Sequence, residues 1–275
     1  MAAQAPPLRV APRPKYQALA IAAIQRAITY RGTTLLSLLS GLVWVAVLYY
    51  LWRTVYADRP RLGDFDWDQM RTYILVSYAV SALISFSSAA RILSVVRSGD
   101  IAMELLRPVD YLLFQLAQTF GSALIEGLLG SVIALLLGFL LLGIAPPASI
   151  LAALLFLLSV GLGFLIKFLI TFIVALLCFW TKNGLGLIWS QTAVISIFSG
   201  ALIPLQLLPG WLRNVALVAP FQGIVYTPVM IYMGSIESAA LWWALGLQLF
   251  WVIALWQLVR LMWMPAMRAL DLQGG

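Results

Sequence analysis

The chain has 275 residues, of which 63% are apolar and 10% charged, with a formal charge of +7, no histidine and one cysteine. Globular proteins carry about a quarter charged residues, so this composition leaves too little polar surface for a water-soluble body. Without histidine, and with Cys178 alone, the usual zinc sites and serine–histidine nucleophiles are excluded, and anionic lipid accounts for the positive charge better than nucleic acid does.

Residues 1–14 are interrupted by Pro6, Pro7, Pro12 and Pro14 and read as a disordered cytoplasmic tail, not a signal peptide. From Tyr16 to Tyr30, Ile21, Ile24 and Ile28 recur at helical spacing, which predicts an amphipathic helix lying at the membrane interface. A single transmembrane domain is expected over residues 15–262, with a cytoplasmic tail over 263–275.

A span needs roughly 20 apolar residues. The first is expected at 33–55, followed by an exposed loop with Asp58, Asp64, Asp66 and Asp68. The second is expected at 70–93, and a polar stretch then runs to Asp110. The third occupies 111–144, and Pro146 and Pro147 turn the chain into the fourth, at 150–180. After a short loop at 181–184 the fifth covers 185–202. Prolines and glycines break the apolar stretch 204–234, so two short re-entrant or interfacial helices are expected before the last span at 238–262. The run from Ser131 to Ile144 does not alternate apolar with polar, as a membrane strand would, so the fold is an all-α membrane protein of six transmembrane helices.

Orientation follows from the basic residues near span ends. One side collects Arg9, Arg13, Lys15, Arg26, Arg31, Arg91, Arg97, Arg107, Lys182, Arg260 and Arg268; the other collects Arg53, Arg59, Arg61, Arg71 and Arg213. The richer side is expected in the cytoplasm, with both termini, and the aspartate-rich loop outside. The chain lacks the G-x-x-x-x-G-K-[ST] phosphate cradle, any acid–base relay and any metal-ligand cluster. These features favour a pore-forming subunit driven by another protein over an enzyme or a self-powered pump.

Two segments and one pair of charges stand out. In Arg97–Asp110, Gly99 permits a turn, Asp100 can cap a short helix with Glu104 in its early turns, and Pro108 forces Arg107 out of helical geometry. Asp110 can then cap the third span. A short helix between spans two and three and an ordinary loop fit these residues equally. In the second segment, Gly200, Pro204, Pro209, Trp211, Pro220 and Phe221 punctuate a broken hairpin that could close an exit or serve as a static lid. Trp211 and Tyr226 suit the aromatic belt of a membrane interface. Glu126 and Lys167 lie roughly 20 Å into neighbouring spans, by helical rise, and are expected to pair as a structural ion pair.

The segments GDI-x-x-x-LLRPVDY (Gly99 to Tyr111), FSGALIPLQLLPGWL (Phe198 to Leu212) and PFQGIVYTP (Pro220 to Pro228) resemble the permease subunits of type-2 ATP-binding-cassette exporters, and more narrowly a bacterial subfamily of them. The order of features matches over nearly the whole chain. The resemblance implies a plasma-membrane permease working as a homodimer or heterodimer, with two separate ATPase subunits on the cytoplasmic face. ATP and magnesium would belong to those subunits, and this chain would need no cofactor or metal of its own. It also implies that the N-terminal helix and the stretch between spans two and three meet the ATPase, which makes Arg97, Gly99, Asp100, Glu104, Arg107, Pro108 and Asp110 coupling candidates. Gly200, Pro204, Pro209, Trp211, Pro220 and Phe221 would form the outer gate. It implies no particular substrate, and the direction of transport rests on it alone. The competing readings are a membrane scaffold without transport and, less well supported, a lipid-modifying enzyme using Asp64, Asp66 and Asp68, which a solvated loop explains better.

Overall fold

The computed structural model describes residues 31–85, 110–178, 180–181, 184–236 and 238–271. Helix α1 spans Arg31–Val55, and a two-stranded hairpin follows, β1 (Arg61–Leu62) pairing antiparallel with β2 (Phe65–Asp66). Gly63 makes its turn at φ +61°. The acidic loop is therefore structured: Phe65 is buried, and Tyr56 donates a hydrogen bond to the Phe65 carbonyl at 3.2 Å. Burial, and secondarily the Asp66 carboxylate, push the Tyr56 phenol above its ordinary range.

Helix α2 (Trp67–Leu83) opens with a capping box: the Asp66 side chain accepts from the Gln69 amide at 2.8 Å, and the Gln69 side chain accepts from the Asp66 amide at 3.0 Å. The helix ends at Leu83, inside the expected second span, and Ile84 has left helical geometry at ψ 14°; the rest of that expected span, 86–93, lies outside the described residues. The Ile84 carbonyl just past this end is engaged by Lys167.

Next comes α3 (Tyr111–Ser122), with the Asp110 side chain accepting from the Leu113 amide at 2.9 Å as its N-cap. A π turn at Ala123–Gly127 joins it to α4 (Leu128–Leu137), and a second at Gly138–Leu142 follows. The expected third span is thus one helical rod with two widened turns. Helix α5 (Ile150–Leu177) is capped by Ser149, whose hydroxyl accepts from the Ala152 amide at 3.0 Å. Helix α6 (Gly184–Phe198) is shorter than expected. The broken stretch contains 3-10 turns at Leu205–Leu207 and Pro220–Gly223 and two short helices, α7 (Gly210–Val218) and α8 (Tyr226–Tyr232).

Helix α9 (Ser238–Asp271) passes straight through Pro265, so the expected tail continues the last span. Trp263 explains this continuation: its ring lies 5.5 Å from Tyr111 and 6.2 Å from Phe172, and Ala266 beyond the proline is fully buried. Among the described helices, α5 and α9 are each long and apolar enough to cross a membrane on their own. They pack on each other along their length, and α2 packs on α4. The shared core runs through Tyr73, Phe114, Phe168, Phe172, Leu205 and Val229. Leu36, Leu39, Val43 and Val47 on α1, with Ile150, Leu151, Leu154 and Leu158 on α5, face outward. Apolar side chains directed outward at helical spacing are what a lipid solvent demands.

Candidate functional site

The β-hairpin marks one end of the helix bundle, and three other segments converge there. The Arg71 guanidinium donates to the Gly143 carbonyl at 2.9 Å and pairs with Asp68 at 3.1 Å. The Ala145 amide donates to the Thr72 hydroxyl at 3.3 Å. The Ala148 amide donates to the Tyr232 carbonyl at 3.1 Å, and the Tyr232 hydroxyl donates to the Ala145 carbonyl at 3.0 Å. A cleft of about 290 Å³ lies among these ties, lined by Asp66, Asp68, Arg71, Gly143, Pro146 and Ser235. Its charged groups bond mainly to the walls themselves, so the cleft is first a joint between loops.

The broken segment hangs from this end. Gly200, at φ +80°, turns the chain out of α6, and its carbonyl accepts from the buried Tyr73 hydroxyl at 2.6 Å. A Cβ on Gly200 would sit 2.8 Å from that hydroxyl oxygen and 3.0 Å from the Tyr226 Cβ, so glycine is required both by conformation and by space. The Tyr226 amide returns a hydrogen bond to the Ser199 carbonyl at 2.9 Å. Tyr226 is therefore buried within the bundle and does not belong to an aromatic belt. Trp211 does face outward, 72% exposed, with Val215 and Val218 on the same helix.

Pro204 and Pro209 stand at the N-cap positions of the 3-10 turn and of α7, where a missing amide proton costs nothing. Pro220 opens the second 3-10 turn, and Phe221 packs 6.1 Å from Phe198. All six expected gate residues thus lie on one continuous lid segment, in which Gly200 and Pro204 are buried, Pro220 and Phe221 half-buried, and Pro209 and Trp211 exposed.

The lid reaches far into the bundle. At Gly163 a Cβ would lie 2.7 Å from the Gly223 carbonyl oxygen, so the two backbones touch. Gln248, fully buried on α9, locks the contact. Its Nε2 donates to the Gly223 carbonyl at 2.7 Å and to the Ser159 carbonyl at 3.1 Å, while its Oε1 accepts from the Ser159 hydroxyl at 3.0 Å. At about 1.5 Å per residue, Gly163 lies roughly 20 Å along α5 and Gln248 roughly 15 Å along α9 from the hairpin end. Thr227 and Gln222 bond to each other nearby, and the Trp251 indole donates to the Val218 carbonyl at 2.9 Å. The seven residues of α8, all buried, then return the chain to Ala145 and Ala148.

Sequence reasoning missed Tyr73, Ser159, Gly163 and Gln248. Gln248 carried a usable signal, since a lone amide inside SAALWWALGLQLFWVIAL must find partners within protein. Gly163 and Ser159 carried none, because they are defined by a neighbour that is distant in sequence.

Of the expected coupling residues, Arg97, Gly99, Asp100, Glu104, Arg107 and Pro108 lie outside the described residues, as does the N-terminal helix at 16–30. Asp110 is described and caps α3. Glu126 falls in the first π turn, and its side chain also lies outside the description. Lys167 donates to the Ile84 carbonyl at 2.8 Å.

Among the described residues no cluster of metal ligands occurs. What the arrangement offers is mechanical: apolar outer faces, a broken lid inserted between α2, α5 and α9, and hydrogen bonds that fix its base. Comparison with curated proteins finds no match. A family model described as ABC-2 family transporter protein matches residues 42–274, nearly the whole helical body, lid included. The chain therefore belongs to the ABC-2 transporter family, as a multi-pass membrane permease subunit of an ABC transporter.

Proposed function

We propose that this chain is the translocation subunit of an ATP-driven exporter, working as a dimer with separate ATPase subunits bound at its cytoplasmic face. The observation that carries the reading is the lid, which enters from the hairpin end, turns at Pro220–Gly223 against Gly163 and Gln248, and returns through α8. A re-entrant segment of this kind survives at membrane depth only where protein or a cavity receives it. A scaffold without transport gives no reason to build one.

Six spans and the distribution of basic residues support a hairpin end outside and both termini inside, in a bacterial plasma membrane. The segment Arg97–Asp110, ending at the α3 cap, then faces the cytoplasm as the ATPase-coupling element. Gly200, Pro204, Pro209, Pro220 and Phe221 form the outer gate. Since Tyr73, Gln248 and Trp251 all tie this gate to its walls, it opens with α2, α5 and α9 and does not swing as a free flap. Glu126 acts as counter-charge to Lys167, supported by the backbone of its neighbour Gly127 abutting Leu83, one residue from the carbonyl that Lys167 holds.

The test is purification of the tagged chain from its native membrane. An ABC ATPase is expected to co-purify, and Asp100→Ala or Arg107→Ala is expected to lower ATP hydrolysis by the complex several-fold. A stable, active preparation with no nucleotide-binding partner contradicts the proposal.

A further inference from the structure

Helix α2 ends in the wrong place for a simple span. Its 17 residues cover about 25 Å, less than the roughly 30 Å hydrocarbon thickness. With Trp67 at the hairpin end, Leu83 and Ile84 fall inside the bilayer, where a helix terminus exposes carbonyls that water cannot reach. Each carbonyl left without a donor there costs several kcal/mol.

The structure shows how this end is closed. The Ile84 amide donates to the Val80 carbonyl at 3.0 Å, and the Ser85 amide tightens onto the Ala82 carbonyl at 3.0 Å. The Ile84 carbonyl accepts from the Lys167 ammonium at 2.8 Å. On another side Gly127, closing a π turn, presses its backbone against the same end: a Cβ there would lie 2.6 Å from the Leu83 carbonyl oxygen and 2.9 Å from that of Ala82. A cation at a helix C-terminus is also favoured by the helix dipole, all the more in a low-dielectric setting.

We infer that Lys167 is an intramembrane C-cap that fixes the inner end of α2 between α5 and the π turn at Ala123–Gly127, making Ile84–Ser85 a fixed joint at that end. Lys167 is on this account a positioning residue. The joint does not depend on the coupling reading.

Hydrogen–deuterium exchange on the full-length chain in lipid nanodiscs tests the joint directly. Lys167→Met is expected to speed exchange in the peptide covering residues 79–85 by tenfold or more, with peptides from α9 unchanged, and Lys167→Arg is expected to restore protection. Unchanged exchange at 79–85 in Lys167→Met overturns the inference, as does faster exchange that arginine fails to rescue. If Lys167→Met does not accumulate, Gly127→Ala reads the same joint. Its methyl group collides with the Leu83 carbonyl, so faster exchange confined to 79–85 supports the joint and unchanged exchange there overturns it. The measurement needs no ATPase, so the joint can fail while the coupling reading stands, and the reverse.

Discussion

Gly200 and Tyr73 meet where the lid leaves α6. The positive φ and the 2.8 Å approach to the tyrosine oxygen leave no room for a methyl group. Gly200→Ala is therefore expected to destabilise the protein by about 1–3 kcal/mol, read as a lower unfolding temperature in detergent. Gln248 makes a second test. Gln248→Leu removes the donor to the Gly223 carbonyl and the acceptor of the Ser159 hydroxyl, leaving buried polar groups without partners. A loss of about 1–3 kcal/mol is expected. The double variant Gln248→Leu with Ser159→Ala should recover part of it, because one orphaned hydroxyl disappears; thermal unfolding of both variants checks this.

Among the elements, the apolar spans were legible because lipid imposes a single strong requirement on sequence. The runs ending at Val55, Leu177 and Phe198 appear as helices close to where hydropathy placed them. The breaks in the lid were legible too, since Pro204, Pro209 and Pro220 each mark a real start of a turn or helix. The early end of α2 and the widened turns of the third rod were not legible. The end of α2 and the first of these turns meet where Lys167 reaches a carbonyl 83 residues away and Gly127 abuts Leu83, contacts that no local pattern encodes. Continuation of α9 past Pro265 likewise depends on Trp263 packing against Tyr111 and Phe172.

The cap of α3 offers a separation of roles. Asp110→Ser keeps a side-chain acceptor for the Leu113 amide, so stability should hold, whereas Asp110→Ala should cost about 1 kcal/mol. If the carboxylate also meets the ATPase, both variants lower ATP hydrolysis by the complex; if it is a cap alone, the serine variant hydrolyses ATP normally.

At the scale of the whole molecule, the architecture divides its labour between two ends. The hairpin end is cross-braced: Arg71, Thr72, Tyr73, Ala148 and Tyr232 tie four segments together. The opposite end carries the α3 cap and the aromatic cluster of Tyr111, Phe172 and Trp263, beside the stretch expected to receive the ATPase. Substrate identity was not legible, because among the residues the sequence analysis singled out none carries chemistry specific to one class of substrate.

The most direct test of the central claim places a photo-crosslinking amino acid at position 104 or, as a control, at position 63, in the complete complex in native membrane vesicles. An ultraviolet-dependent adduct is expected between position 104 and the ATPase subunit, and none from position 63. An adduct from position 63 with no adduct from position 104 would contradict it.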